Sequence, residues 1–592
     1  MGESGRRYYV AVAAIVAIGA LARAGVLGHG LAVDDFAQVA MVDGTYPVRR
    51  APWDLYRFSS GALGEVARLR EVGALAWWSD DGLRFAALRP LGSLLRAAEI
   101  RWFGADATFL AHLHGLAWWA GAVVAFAALA RRLVPATVAL TAVALHACEE
   151  GHGVALSWIA NRPALMAATF GSMALAEYVR ADGARPVRLA TWTFLALACG
   201  EYALAVPVFA LGLEATVGRN AGSRRWPRCA AVFVPALAYL AVHRALGYGA
   251  RGSGIYVDPL ADPGAFVSAA VVRVPVLLAD GIAGVGADAV AVDPARAPAV
   301  AAVGGLAAVF LFAVGWFLFA DPSRRRAWVV GAGCLVAVLL LHAGAFVSTR
   351  LWVVPGPALA LGLAALVVAL VERVRRGAAG RGWAAAFAVV LTLLHGPVAL
   401  GRSVFVAEGY GRANTAAVAA LRHSDVGDVA GRDVVVYAAV DPTTLLYGRY
   451  LVGRNGPPRS WLVLSAVPAS LRLRRPTAGR IELDVAGPLG ASPLERLFRP
   501  GPPPIDRGVE VAAGRVTPVR PTRSTEGEAA TIRFDFDPAR PPVFLVTTRT
   551  ALRRLAPPPV GGAVDLPLPV APLRTAEAKR RGDGPMPSGR GG

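Results

Sequence analysis

The chain has 592 residues, 55% of them hydrophobic and 17% charged, with a mean hydropathy of +0.48. A water-soluble domain is nearer a quarter charged, so a soluble enzyme and a disordered chain are both excluded and most of the length belongs in lipid. The 61 basic residues against 41 acidic ones give a net charge of +20, carried almost wholly by Arg, and in a membrane protein such an excess is first read as the mark of cytoplasmic loop ends, before nucleic acid is considered.

An apolar stretch of about 20 residues spans a bilayer, and fewer suffice where neighbours shield the ends. About eleven candidates follow in chain order. The first, 8–27, comes after Arg6 and Arg7. It reads as an uncleaved anchor, although Ala20-Leu21-Ala22-Arg23-Ala24 faintly resembles a signal-peptidase site. Next come 107–130, ending at Arg131 and Arg132, then 133–147, then 163–179 leading to Arg180, Arg185 and Arg188. The run 189–217 is too long for one helix and is broken at Gly200-Glu201, so it is expected to form two short helices. The spans 229–246, 298–320, 327–346, 351–371 and 382–400 complete the set. Segment 265–285 contains Arg273 and Asp280 and is expected to be interfacial or re-entrant. The four cysteines, Cys148, Cys199, Cys229 and Cys334, lie in or beside apolar runs with no CxxC spacing and read as core residues.

With the N-terminus inside, the Arg clusters at 131–132, 180–188, 219–228, 324–326 and 373–381 all fall on the cytoplasmic side. That assigns the net charge to topology and calls for no nucleic-acid partner. Two large regions then lie outside: 28–104 and everything after about 403. The second holds β-branched, partly alternating runs starting at Asp433, Trp461, Arg480, Thr531 and Val543, separated by Pro and Gly. The expected organisation is an all-α polytopic membrane domain over 1–402 with the external loop 28–104, a β-rich extracytoplasmic domain over 403–574, and a disordered tail over 575–592.

Four polar groups fall on the outer face under this topology. Val33-Asp34-Asp35-Phe36 follows the first span. Its adjacent carboxylates read either as a helix cap or as a general base held at the lipid boundary. Glu149-Glu150-Gly151-His152 precedes Trp158-Ile159-Ala160-Asn161-Arg162. There His152 can orient an acceptor or protonate a leaving group, Arg162 can pair with phosphate, and Trp158 can stack on a sugar or sit in the interfacial belt. A Glu/His cluster can also hold a divalent cation, but no ligand spacing demands one, and no metal or other cofactor is expected to be required. Glu201 sits at the break between two helices, as a site carboxylate or a cap. Arg350, at an external span end, runs against the positive-inside bias; it reads as a phosphate partner or as a snorkelling side chain.

Taken together these residues resemble the polytopic glycosyltransferases of the GT-C superfamily, and among them the TMTC-type protein O-mannosyltransferases and their bacterial relatives. The family's Asp-Asp pair matches Asp34 and Asp35. Its Tyr-Arg-Pro-Leu stretch resembles Leu88-Arg89-Pro90-Leu91, and its Phe-Gly to His-Leu pattern resembles Phe103-Gly104 to His112-Leu113 with one extra residue in the gap. Its His to Trp-Ile-x-Gly-Arg pattern resembles His152 to Arg162, its Ser-Lys-Glu turn Cys199-Gly200-Glu201, and its Arg-Tyr-Leu-Tyr-Leu-Pro run Arg350 to Pro355. The likeness covers roughly 1–400. The family lysine is Gly200 here, and the usual tetratricopeptide array is replaced by the β-like tail.

The resemblance implies a membrane glycosyltransferase working on the outer face of a bacterial cytoplasmic membrane, with a cytoplasmic N-terminus. A polyprenyl-phosphate sugar is the implied donor, and a protein or envelope-glycan hydroxyl the acceptor. Asp34 or Asp35 is the implied base of an inverting transfer. Arg89, Glu150, His152, Trp158, Asn161, Arg162, Glu201 and Arg350 are the implied substrate-binding set, with Arg162, Arg350 or Arg89 taking over the missing lysine's phosphate. The rival readings are a transporter or flippase of a lipid-linked solute, and an inactive GT-C-like scaffold for envelope assembly. A transporter predicts polar residues at mid-membrane depth, whereas here charge gathers at one face.

Overall fold

The computed structural model describes residues 3–180, 183–216, 225–453, 455–524, 527–548 and 551–569. Arg219, Arg224 and the segment 575–592 lie outside them. Helix α1 (Glu3–Ala22) is followed by a loop region holding α2 (Asp34–Asp43), α3 (Leu63–Glu71) and α4 (Pro90–Phe103). The bundle continues with α5 (Thr108–Leu133), α6 (Ala136–Cys148), α7 (His152–Ser157), α8 (Pro163–Tyr178), α9 (Pro186–Ala198), α10 (Ala205–Thr216) and α11 (Arg225–Ala245). Then come α12 (Pro263–Leu278), α13 (Asp288–Val292), α14 (Ala297–Leu318), α15 (Pro322–His342), α16 (Gly356–Arg375), α17 (Arg381–Leu393) and α18 (Ala399–Arg422).

Among the described residues, seven helices are long and apolar enough to cross a membrane: 5–22, 108–133, 263–283, 294–318, 322–342, 356–375 and 381–422. The eleven runs expected from sequence include α6, α8, α9 and α10, which have only 13, 16, 13 and 12 residues. At about 1.5 Å per residue they fall short of the roughly 30 Å hydrocarbon core. The clearest case is α8, whose apolar run is a packing surface inside the bundle, almost entirely buried, against α5 and α9. The chain is thus a multi-pass membrane protein with a mostly helical body. Gly200-Glu201 does break its run into two short helices, α9 and α10.

Segment 263–283, expected to be interfacial, is one continuous helix of spanning length whose last turn is of π type. It touches the connection between α15 and α16 repeatedly. Arg273 donates to the carbonyls of Ala343 and Ala345 at 2.9 and 3.1 Å, the Thr349 hydroxyl donates to Asp280, and the Trp352 indole donates to the Leu277 carbonyl at 3.1 Å. The helix therefore runs alongside residues 343–352. The final helix does not stop at the expected boundary near 402. It kinks at Gly396-Pro397 and continues to Arg422, packed on α7, where Ser157 donates to the Ala407 carbonyl.

The C-terminal region is β-rich, as the alternating runs predict. Strands β1 (Arg57–Ser60), β2 (Arg84–Ala86) and β3 (Gly249–Arg251) form a small sheet in the loop region. The C-terminal strands are β4 (Asp433–Ala438), β5 (Ser460–Ser465), β6 (Leu471–Thr477), β7 (Arg480–Ala486), β8 (Val509–Val511), β9 (Gly514–Ser524), β10 (Gly527–Asp535), β11 (Val543–Thr547), β12 (Leu552–Arg554) and β13 (Ala563–Leu566). They make a six-stranded antiparallel sheet, β13-β6-β7-β10-β9-β8, and a four-stranded sheet, β12-β11-β4-β5, whose central pairs are parallel. The parallel pairs are buried on both faces, and so β4 and β5 read as continuous apolar runs.

The loop region and the C-terminal region share one hydrophobic core. Phe36, Leu69, Trp77 and Leu83 pack with Val435, Trp461, Leu464 and Phe498. Backbone and indole hydrogen bonds sew the two together: Trp461 N–H to the Val72 carbonyl at 3.1 Å, Trp77 indole to the Leu464 carbonyl at 2.9 Å, and Asp80 N–H to the Phe498 carbonyl at 2.9 Å. Gly73, at φ +76°, faces the Trp461 carbonyl so closely that a β-carbon there would lie 1.6 Å from it, and only glycine permits the approach.

Candidate functional site

The site begins where the chain leaves α1. Val33 has a φ of +46°, an uncommon and strained conformation for a β-branched residue. What holds it is the fully buried side chain two residues on. One Asp35 oxygen accepts the Ala32 N–H at 2.9 Å, and the other accepts the Ala160 N–H at 2.8 Å. Burial raises the Asp35 carboxyl to about 6, while Arg96 and the two N–H donors pull the other way. Both oxygens of Asp35 are thus committed to shaping the turn and tying it to the loop before α8.

Asp34 is the opposite case. It is half-buried. The Tyr447 hydroxyl donates to Oδ1 at 2.6 Å, and among the described residues Oδ2 has no partner. Its enclosed position raises the carboxyl above the ordinary range, and the Tyr447 hydrogen bond, Arg350 and Arg89 lower it. Tyr447 belongs to the C-terminal region, in a π-type turn (Thr443–Tyr447) anchored by the Trp461 indole donating to the Thr444 carbonyl at 2.9 Å. Its ring also packs near Phe36.

Two guanidinium groups face this carboxylate. Arg89, at the start of α4, lies over the rings of Tyr56 and Tyr202 at 5.0 and 4.8 Å and pairs with Glu201. Gly200 has a φ of +130°, and a β-carbon there would come within 2.8 Å of Arg89 Cγ. The space beside the turn is therefore taken by Arg89. Arg350 is buried, lies over the Trp158 ring at 5.3 Å, and donates to Asn161 Oδ1 at 3.3 Å. The Tyr202 hydroxyl donates to the same oxygen at 3.1 Å. Among the described residues Arg350 makes no ion pair, which leaves a buried cation without a carboxylate partner.

The structure thus brings Asp34, Asp35, Arg89, Trp158, Asn161, Glu201 and Arg350 together. Three other residues expected from sequence lie apart from that group. Arg162 is bound to Glu99 and His114. Glu150 pairs with Arg402, near Asp280. His152 is wholly buried between His146 and Trp119. Sequence reasoning missed Tyr447 and Tyr56. Tyr202 had a signal, adjacent to Glu201 at the helix break; Tyr447, 413 residues from Asp34, had none. No three-ligand metal group forms around Asp34 among the described residues; the one that exists is His146, Glu149 and His152.

The bundle also holds an apolar cavity of about 1200 Å³. Its lining includes Leu278, Ile282, Val354, Thr216, Arg324 and Arg375. A volume of this kind accommodates a long hydrocarbon chain.

No protein-family model and no curated protein sequence matches the chain. Among solved structures it is similar to the archaeal oligosaccharyltransferase AglB from Archaeoglobus fulgidus in complex with an inhibitory peptide and a dolichol-phosphate. That match has 13% identity, a TM-score of 0.40, and coverage of 77% of this chain and 64% of that one. A second structure of the Archaeoglobus fulgidus oligosaccharyltransferase, tethered to an acceptor peptide, matches at 12% identity and a TM-score of 0.38, over 76% of this chain and 64% of that one. ArnT from Cupriavidus metallidurans bound to undecaprenyl phosphate matches at 14% identity and a TM-score of 0.36, over 78% of this chain and 90% of that one. The chain therefore spans just under two thirds of the length of the two archaeal structures.

Proposed function

We propose that the chain is a membrane glycosyltransferase that moves a sugar from a polyprenyl-phosphate donor to an acceptor hydroxyl at the outer face of a bacterial cytoplasmic membrane. The observation that carries this reading is Asp34, one oxygen held by Tyr447 and the other without a partner among the described residues, beside a buried Arg350 that makes no ion pair among them. A carboxylate with a free oxygen and a raised proton affinity suits a general base. A desolvated guanidinium with no carboxylate of its own suits a phosphate.

In this scheme the acceptor hydroxyl gives its proton to Asp34 Oδ2 as its oxygen attacks the anomeric carbon. The bond from that carbon to the phosphate oxygen breaks, and the electron pair leaves with the lipid phosphate. Arg350 and Arg89 stabilise the charge that develops there, in a site where the field is stronger than in water. Attack opposite the leaving group inverts the anomeric centre. Arg89 over Gly200 supplies the cation that the resembled family draws from its lysine, which favours an active enzyme over a scaffold. The apolar cavity is suited to the polyprenyl chain, and the positive-inside reading of the Arg clusters at 131–132 and 180–188 supports an extracytoplasmic site. The acceptor is a protein or envelope-glycan hydroxyl, and no step calls for a metal.

The test is sugar transfer in isolated membranes with a panel of polyprenyl-phosphate sugars. The wild type transfers at least one of them, and Asp34→Asn loses about 100-fold or more. No transfer from any donor, or undiminished transfer by Asp34→Asn, overturns the reading.

A further inference from the structure

Away from Asp34, three metal-ligating side chains converge at the junction of α6 and α7. They are His146 in the last turn of α6, Glu149 just after it, and His152 at the start of α7. Their ligand atoms all lie within 4.8 Å of one another, and His146 Nδ1 is 3.1 Å from Glu149 Oε2. The two imidazole rings meet edge to face with centroids 4.8 Å apart.

What sets this cluster apart is unmet bonding capacity. His152 is 0% exposed and His146 1%. Among the described residues, both ring nitrogens of His152, Nε2 of His146 and Oε1 of Glu149 have no hydrogen-bond partner. A buried polar atom without a partner costs about 1–3 kcal/mol, so four in one place call for something that satisfies them together. Neutral imidazole nitrogens and one carboxylate are the donor set that a borderline dication such as zinc prefers.

The surroundings fit. A cavity of about 50 Å³ adjoins His146 and Glu149, with room for water as a further ligand. The Glu149 side chain, 17% exposed, opens the group to that cavity. The nearest cation, Arg23, has its donors turned onto the oxygens of Gly19, Ser403 and the Glu149 backbone and its face on Trp119. It is thus occupied elsewhere, and the imidazoles are left facing each other.

We propose that His146, Glu149 and His152 bind one zinc-class dication that pins α6 to α7. The loop it pins continues to Ala160, whose N–H holds Asp35, and to Asn161, which holds Arg350. The metal acts there as a positioning element, remote from the reacting atoms. Binding is independent of the glycosyltransferase reading, so either can fail alone.

The test uses the full chain, purified in detergent with any affinity tag removed, stripped with a chelator and dialysed against buffered micromolar zinc. Elemental analysis finds about one equivalent in the wild type. Cobalt in place of zinc gives the visible absorption bands of a low-coordinate nitrogen and oxygen site. His146→Ala, His152→Ala and Glu149→Gln each lose most of the metal, whereas His342→Ala, a buried histidine outside the group, keeps it. As a second readout, zinc raises the thermal midpoint of the wild type and leaves that of His152→Gln unmoved. A wild type that retains no zinc, or zinc retained undiminished by both His146→Ala and His152→Ala, overturns the proposal.

Discussion

Two groups of charged side chains sit at the loop-bearing end of the bundle, and they are finished differently. Around Glu150 a cation is supplied: Arg402 pairs with Glu150 and lies 4.0 Å from Asp280, and the Thr349 hydroxyl donates to Asp280 and Asp288. Around Asp34 the arrangement differs. Among the described residues Arg350 is held by aromatic and amide neighbours with no ion pair, and Asp34 keeps an oxygen free. A carboxylate answered by its own cation, as Glu150 is by Arg402, stabilises a packing arrangement. A group left open, with its cation kept buried, suits the arriving phosphate of the proposed function.

The comparison breaks first under substitution of its charges. Arg350→Ala lowers transfer by about 100- to 1000-fold, as removal of a preorganised cation does. Glu150→Gln leaves transfer within about threefold and instead lowers the thermal midpoint, because Arg402 loses its partner. Transfer assays and melting curves on the same preparations decide between these outcomes. Equal catalytic losses in both variants would erase the distinction.

A smaller effect sharpens it. Tyr447→Phe removes one donor from Asp34 and lowers transfer by about tenfold. The lost hydrogen bond favoured the charged carboxylate, so the proton affinity of Asp34 rises and the acid limb of the rate–pH profile moves to higher pH. A lower rate with an unmoved limb assigns Tyr447 to packing alone.

The smallest effect concerns Asp35. Its carboxyl is raised from 3.8 to about 6 in the fold. The folded chain then holds a proton that the unfolded chain releases, so the stability from this group is full below about 4 and is lost as pH rises through about 6. Asp35→Asn flattens that part of the profile of thermal midpoint against pH. An unchanged slope would mean that Asp35 stays ionised throughout.

Sequence patterns were informative where burial writes directly into composition. The runs at Asp433, Trp461, Arg480, Thr531 and Val543 all fall in strands or at their edges, because buried strands need β-branched and aromatic residues. The break at Gly200-Glu201 was visible because a φ of +130° calls for glycine. Helix length was less legible. Apolar runs mark what is hidden from water, whether by lipid or by protein, so α6, α8, α9 and α10 look like spans. The continuation of α18 was hidden for the converse reason, since Glu408, Arg412 and Asn414 end the apolar run while the helix goes on. Sequence named Asp34 and Asp35 together; what separates them is the turn at Val33 and the arrival of Tyr447, both set by tertiary packing.

That arrival has a consequence for the order of events in biosynthesis. The acid–hydroxyl contact joins the residue 34 made at the start of translation to residue 447, made near its end, and the loop carrying one is cemented to the sheet carrying the other. No nascent chain stopped short of the C-terminal sheets holds a finished site. On the function proposed above, a polypeptide threading into the membrane lacks this contact, and with it a complete Asp34 environment, until its last region has docked.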